Sequence, residues 1–445
     1  MNLRGDLYRV AASLVGAEWR EHLLEMETSA SGEIERRSLP SLLTHALTHV
    51  PHYRDLGVSA ARLDAFPLLT RETLRTQYER LKSDDLASRR WHRASTGGST
   101  GEPVWVVLDR NFLQWDYAAD MYCMNAFCGM PYHEYLGSRR VAIWHRRRLR
   151  ADASLWRRLA AQLLGQVAYI EPYEILTDEK LNEHLARINR HKPAVILAFA
   201  GTAFEIARHA QRVGIRIHRP RFMLTSVEML YPAMRETIQA AFGCPVHNWY
   251  GAAEVGRIAT ECSKRKLHVS SFTQHAEVID SDGRPTRPGS VGRVVVTPMH
   301  NLAMPLIRYD IGDLARVSSE PCACGNPTPT WDEICGRVVH HFVRPDGGVV
   351  FGGNFIAMFY EHDWIMQFSV LQEDVDRVVI SYRRTPGRDV PEHDIDALTQ
   401  TVRAAMGENC SVVWNEVDVV PNSPIGKHLH ARSLVWENRV GIRDS

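Results

Sequence analysis

Three continuous apolar runs alternate with amphipathic segments in the middle of the chain. The runs are "AVILAFAG" (194–201), "RFMLTSVE" (221–228) and "PVHNWYG" (245–251). Each is short, β-branched or aromatic in part, and bounded by Gly or Pro, which predicts buried strands. Before the first run and between the runs, "TDEKLNEHLARINRHKP" (177–193), "TAFEIARHAQRVG" (202–214) and "PAMRETIQAAFG" (232–243) place apolar residues at helical spacing. Thr177 is the expected N-cap of the first, with Asp178 and Glu179 at the positive end of its dipole. Gly214 is the expected stop of the second, and Pro232 sits at the start of the third. Strands alternating with helices predict a parallel sheet with helices on its faces, and ligands in such sheets sit beyond the carboxyl ends of the strands. The segments "TSVE" and "YGAAE" fall at those ends.

The flanks have other rhythms. Residues 1–80 read as mostly helical, including "SLPSLLTHALTHVPHYRDLG" (38–57) and "FPLLTRETLRTQY" (66–78), with Thr70 as N-cap and Thr73 in the first turn. "PVWVVLD" (103–109) reads as a strand. "HAEVIDSDGRPTRPGSVGRVVVTP" (275–298) reads as a β-meander with "SDGR" as its turn. The last hundred residues carry strands around "QFSVLQ" and "RVVISYR", the helix "EHDIDALTQTVRAAMG" and two further strands. The expected fold is α/β. A large N-terminal domain, 1–337, combines mostly parallel sheets flanked by helices with a β-rich subdomain. A small mobile α+β domain, 338–445, follows.

Length and composition narrow the function classes. A chain of 445 residues with 44% hydrophobic and 24% charged positions is an ordinary globular chain of more than one domain. No apolar run is long enough to span a bilayer, and the N-terminus lacks the features of a secretory signal, so a cytoplasmic protein with reduced cysteines is expected. The net charge of +1 argues against a general nucleic-acid binder. A local basic stretch, "SRRVAIWHRRRLRADASLWRRLAAQLLG" (138–165), admits three readings. It is a solvated face followed by an amphipathic helix, a nucleic-acid patch, or a place where Arg146 or Arg148 meets a phosphate or a carboxylate.

The chemistry concentrates in five motifs. "RASTGGSTGEPVW" (93–105) cannot pack a core, and it is not a Walker loop, because no Gly-Lys-Ser/Thr ends it. Its backbone N–H groups and hydroxyls suit phosphate oxygens. After it come "WYGAAEVG" (249–256), "RYDIGDL" (308–314), "GR" (336–337) and "SPIGKHLHARSL" (423–434). In this order, spread over nearly the whole chain, they resemble the adenylate-forming superfamily of acyl-CoA and aryl-CoA synthetases. The likeness is strongest to its phenylacetate–CoA ligase branch and the capsular-polysaccharide (CapK-type) relatives.

That resemblance implies a set of roles. Ser95, Thr96, Gly97, Gly98, Ser99, Thr100 and Gly101 would hold the β- and γ-phosphates of ATP. Tyr250, with Gly251 beside it, would stack on adenine, and Ser226 and Glu228 would line the adenine pocket. Glu254 would bind Mg2+, a hard cation that prefers carboxylate beside phosphate. Asp313 would accept the ribose hydroxyls, and Arg337 would touch ribose or phosphate at the hinge. Lys427 would bridge the substrate carboxylate and the α-phosphate, meeting the charge that develops there. The implied reaction activates a small carboxylic acid as an acyl-adenylate, then transfers it to coenzyme A, a carrier-protein thiol or an amine. The competing readings are a non-catalytic nucleotide-binding relative and a nucleic-acid binder. Assembly as a homodimer stays open. Two departures stand out: Glu102 occupies the place where many relatives have Lys after the loop, and "GRVVHHF" offers Val338, Val339 and His340 where relatives carry an acid.

Two further groups follow. Cys262 and His268 in "ECSKRKLH", with Cys322 and Cys324 in "EPCACGNP", supply four ligands suited to a closed tetrahedral zinc site. The alternative is reduced, buried cysteines with a surface histidine. For the acyl pocket, the resemblance points to the segment before the central strands and to the strand ends: Trp144, His145, Phe199, Ala200, Gly201 and Trp249. Their rings suit an aromatic acid, although such residues also build cores.

Overall fold

The computed structural model describes residues 18–30, 32–58, 62–95, 104–144, 167–170, 178–337, 341–351, 358–359, 361–420 and 430–439. Thr96 to Gly101, Glu102, His145, Arg146, Arg148, Thr177, Val338, Val339, His340 and Lys427 lie outside the described residues. Of Arg337 only the backbone is described.

The strands in chain order are β1 (Trp91–Ser95), β2 (Trp105–Asp109), β3 (Arg140–Ile143), β4 (Val167–Ile170), β5 (Val195–Phe199), β6 (Phe222–Ser226), β7 (Val246–Ala252), β8 (Gly256–Glu261), β9 (Leu267–Val269), β10 (Gln274–Ile279), β11 (Val291–Pro298), β12 (Tyr309–Val317) and β13 (Thr330–Arg337). The C-terminal part adds β14 (His341–Val343), β15 (Val349–Phe351), β16 (Ile365–Asp374), β17 (Arg377–Arg384), β18 (Ser411–Glu416) and β19 (Ala431–Ser433). Eleven of them form one sheet in the order β10-β11-β12-β13-β9-β8-β7-β6-β5-β3-β4.

The α/β expectation is met. The strands β4, β3, β5, β6 and β7 are mutually parallel. Their apolar runs are buried because helices cover them. Helix α1 (Asp178–His191) buries Leu181, His184, Leu185 and Ile188, a spacing that puts all four on one face. Helix α2 (Ala200–Val213) ends at Gly214, whose φ of 71° is the left-handed stop expected there. Helix α3 (Pro232–Phe242) opens on Pro232 and ends at Gly243, φ 64°. A fourth helix, Arg110–Ala126, begins at Asp109, whose Oδ1 accepts the Phe112 N–H at 2.8 Å. Thr70 caps the short helix Arg71–Thr76 by accepting from the Thr73 N–H, as expected.

The change from parallel to antiparallel pairing happens within β7. Its first half pairs in parallel with β6, through Thr225 opposite Asn248. Its second half pairs antiparallel with β8, Trp249 opposite Thr260 and Tyr250 opposite Ala259. Trp249, Tyr250 and Gly251 therefore project past the carboxyl end of the parallel half, where α/β sheets bind ligands. Beyond β8 the meander β10-β11-β12-β13 is antiparallel throughout. "SDGR" does turn, with the Asp280 carboxylate accepting from the Asp282 and Arg284 N–H groups. The ladder to β11 resumes only at Arg293, opposite Ile279, so the connection is longer than a two-residue hairpin.

β1 and β2 pair as a separate hairpin, with Ser95 opposite Trp105 as the last pair before the glycine-rich loop. Asp109 anchors its base: Oδ2 accepts from the Leu302 and Ala303 N–H groups. In the C-terminal part, β18-β17-β16-β19 form a four-stranded sheet carrying the helix Glu392–Met406. Arg208 on α2 meets this part, its guanidinium donating to the Ile365 and Asp363 carbonyls at 2.7 Å each. Among the described residues no helix is long and apolar enough to cross a membrane.

Candidate functional site

At the end of β7 the backbone comes close to itself. A Cβ on Gly251 would lie 2.5 Å from the Gly256 carbonyl oxygen, so only glycine lets β7 and β8 turn this tightly. The turn carries Glu254, which is buried. The Tyr309 hydroxyl donates to Glu254 Oε1 at 3.3 Å. Burial, and then the Glu254 carboxylate, push the Tyr309 pKa up, so this hydroxyl stays a donor. Glu254 thus sits beside a proton it can accept but not take.

Tyr250 and Asp313 come from strands four places apart in the sheet order, β7 and β12. The sheet curls enough that the Tyr250 hydroxyl donates to Asp313 Oδ2 at 2.7 Å. The Trp331 ring on β13 stands edge-on to Tyr250, centroids 6.2 Å apart. The register places Arg337 directly opposite Asp313. Three residues from three separated motifs, Tyr250, Asp313 and Arg337, are therefore neighbours in space.

The β6 edge supplies Ser226 and Glu228. Ser226 is buried and pairs with Phe199 across the sheet. Val227 between them has φ 75° and is 37% exposed. A β-branched residue in the left-handed region stores about 1–3 kcal/mol of strain, and such strain gathers at ligand-facing edges. Glu228 Oε2 accepts the Gly201 N–H at 2.7 Å, which places a carboxylate at the N-terminus of α2. A Cβ on Gly201 would lie 2.9 Å from that oxygen, so the glycine makes the contact fit.

The rings expected in the acyl pocket do meet. Trp144 lies 4.8 Å from Phe199 and 6.0 Å from Trp249, centroid to centroid, and is nearly parallel to the latter. Ala200 and Gly201 open α2 beside them. The Trp249 Nε1–H is buried and has no partner among the described residues. Behind Trp249 stands a group that the sequence did not single out. The Arg257 guanidinium lies 4.4 Å over its ring and donates to Asp120 Oδ1 at 2.6 Å and Thr260 Oγ1 at 2.7 Å. The Arg257 N–H donates to Asp116 at 2.9 Å. Burial, reinforced by the Asp120 charge, pushes Asp116 up to about 7. Arg257 directly follows "WYGAAEVG" (249–256) but lies outside that motif. Its partners stand some 140 positions earlier and left no local signal.

Cys262, His268, Cys322 and Cys324 also converge, with all four ligand atoms within 4.8 Å of one another. Cys262 Sγ is 3.5 Å from Cys322 Sγ, and Cys324 Sγ is 3.2 Å from His268 Nε2. The other imidazole nitrogen, Nδ1, is 2.9 Å from Thr328 Oγ1, which in turn donates to Asn326. Burial pushes His268 down to about 4, leaving it neutral at neutral pH. A neutral imidazole with an oriented second nitrogen and three thiols is the donor set of a closed tetrahedral zinc site. The remaining cysteines are Cys123, Cys244 and Cys410, all buried, and Cys128 and Cys335, both half-buried.

No protein-family model matches the chain. It is 22% identical over 383 residues to protein CapK of Staphylococcus aureus, spanning 84% of this chain and 81% of that protein. It is 29% identical over 157 residues to phenylacetate-coenzyme A ligase of Thermus thermophilus, spanning 34% of this chain and 35% of the ligase. Among solved structures, the fold matches 2-hydroxyisobutyryl-CoA ligase in its postadenylation state with 2-HIB-AMP. The TM-score is 0.69 at 17% identity, over 91% of this chain and 90% of that one. With the motif order and the convergence at β7, these likenesses support a place in the adenylate-forming superfamily, near its phenylacetate–CoA ligase-like branch.

Proposed function

We propose that the protein condenses a small carboxylic acid with ATP to an acyl-adenylate and pyrophosphate, then transfers the acyl group to the thiol of coenzyme A. The observation that carries this reading is the meeting of Tyr250, Asp313 and the Arg337 backbone beyond the parallel strands, with Glu254 on the adjoining turn. Asp313 keeps its two oxygens on one carboxylate for the ribose hydroxyls, Oδ2 already held by Tyr250. Tyr250 lends its ring to adenine, and Ser226 and Glu228 line the same pocket. Glu254 holds Mg2+ against the phosphates, a role its carboxylate suits. The segment 95–101 cradles the β- and γ-phosphates, and Lys427, delivered by a C-terminal lid of residues 338–445, stabilises the charge on the α-phosphate. Trp144, Phe199 and Trp249 line the acyl pocket and favour an aromatic acid.

The thiol acceptor follows the likeness to phenylacetate-coenzyme A ligase. The test is acid-dependent exchange of labelled pyrophosphate into ATP over a panel of aryl, fatty and hydroxy acids. Exchange with one acid, followed by its thioester once coenzyme A is added, is expected. Exchange without thioester, but with amide when amines are supplied, would move the acceptor to an amine. No exchange with any acid, from protein that binds ATP, would overturn the enzymatic reading.

Cys262, His268, Cys322 and Cys324 hold a structural Zn2+ in this reading, since four protein ligands leave no open position. Metal analysis of protein never exposed to chelator is expected to give about one zinc per chain. Metal-free protein with ordinary stability would remove the site.

A further inference from the structure

The eleven-stranded sheet has a weak joint. Strands β9 and β13 pair through two residue pairs only, His268 opposite Thr330 and Leu267 opposite Trp331. On one side of this joint lie β7 and β8 with Tyr250. On the other lie β12 and β13 with Asp313 and Arg337. How the sheet curls across β9 and β13 therefore helps set the 2.7 Å approach of Tyr250 to Asp313, beside the Tyr309–Glu254 contact that also links the two sides.

The cysteine–histidine cluster spans this joint. Cys262 directly follows β8 and His268 lies on β9, while Cys322 and Cys324 lie between β12 and β13. The joint also has a direct lever on the site. Trp331, whose backbone faces Leu267, is the residue whose ring stands against Tyr250. We propose that the metal held by Cys262, His268, Cys322 and Cys324 is a positioning device for the nucleotide site: it fixes the β9–β13 joint and, through Trp331, the Tyr250–Asp313 pair.

A strand pair this short contributes few ladder hydrogen bonds, so it opens locally far more readily than the sheet beside it. A four-ligand metal linking the loops on both sides removes that freedom. The inference rests on the nucleotide and zinc readings above, and its test separates their failures. Zinc-loaded protein is compared with protein stripped by a chelator at neutral pH. Two quantities are read: affinity for AMP, and backbone amide exchange at 267–269 and 330–331.

On stripping, AMP affinity is expected to fall at least about tenfold. Exchange at the joint should rise while α2 stays protected, and added zinc should restore both. Unchanged AMP affinity in stripped protein would overturn the proposal. Should stripping unfold the chain, Trp331→Leu answers instead. Zinc is expected to stay bound to that variant at its wild-type stoichiometry while AMP affinity falls by a similar factor. Retained affinity would overturn the lever. Zinc-loaded wild type that binds no adenine nucleotide would defeat the nucleotide reading. Amide exchange at the joint would then decide the staple alone, and exchange indifferent to zinc would sink it.

Discussion

The Tyr250 hydroxyl donates to the Asp313 carboxylate at 2.7 Å, across a sheet order that separates their strands by three others. The bond does two things. It satisfies a half-buried phenol, and it orients a buried carboxylate, the one proposed above to accept from ribose. Tyr250→Phe keeps the ring for adenine and removes only the orientation. We expect that variant to lose about 0.5–1.5 kcal/mol of stability and to bind AMP several-fold more weakly. Asp313→Ala removes the acceptor itself and should lower AMP affinity by about 10–100-fold, the cost of losing hydrogen bonds to a charged group. Calorimetric titration of both variants checks the pair. Equal, small effects would mean that Asp313 faces no ribose.

Lys427 is assigned by its motif and tested by splitting binding from chemistry. A cation that acts on the α-phosphate matters most when charge develops there. Lys427→Ala should reduce acid-dependent pyrophosphate exchange by about 10²–10³-fold while ATP binding changes little. Full exchange activity in the variant would mean that another group does this work.

How far the fold was legible depended on how local the determining contacts are. The parallel half could be read because each strand is a continuous apolar run, and each helix carries its stop or start in one residue, such as Gly214 or Pro232. The helix Arg110–Ala126 went unread because its apolar face is interrupted by Asp116 and Asp120. Those acids face inward to meet Arg257, which a local pattern cannot register. The four residues of the cysteine–histidine cluster could be picked out by residue type, since few other tasks need three cysteines and a histidine so grouped. Their placement across the β9–β13 joint could not, because nothing in the sequence says that those strands are neighbours. Tyr250 was legible as a ring in a motif, but its hydroxyl partner depends on the curl of the sheet.

Gly251 tests the close approach at the turn. Its missing Cβ leaves room for the Gly256 carbonyl, which an added methyl would meet at 2.5 Å. The obstacle is backbone on a paired strand, so it cannot swing away as a flexible side chain could. Gly251→Ala should cost about 1–3 kcal/mol of stability through overpacking. It should also displace Tyr250 and Glu254 on either side, so AMP binding should weaken beyond what the stability loss explains. Thermal unfolding with and without AMP separates the two. A variant with unchanged melting temperature would mean that the turn relaxes freely.

Asp116 carries a pH signature. Its pKa is raised to about 7 from 3.8, by burial first and by the Asp120 charge second. The folded protein therefore holds a proton that the unfolded chain releases near pH 4. Stability from this group is fully present at low pH and is lost as pH rises toward 7, because the unfolded state gains the ionisation first. Asp116 is partly exposed, so the loss is about 1–3 kcal/mol rather than the full shift. Asp116→Asn keeps an oxygen to accept the Arg257 N–H and removes the titration. The variant should match wild type near pH 4.5 and exceed it near pH 7.5. Urea unfolding at the two pH values measures the difference. A variant less stable than wild type at pH 7.5 would show that Asp116 is ionised in the folded protein and paired productively with Arg257.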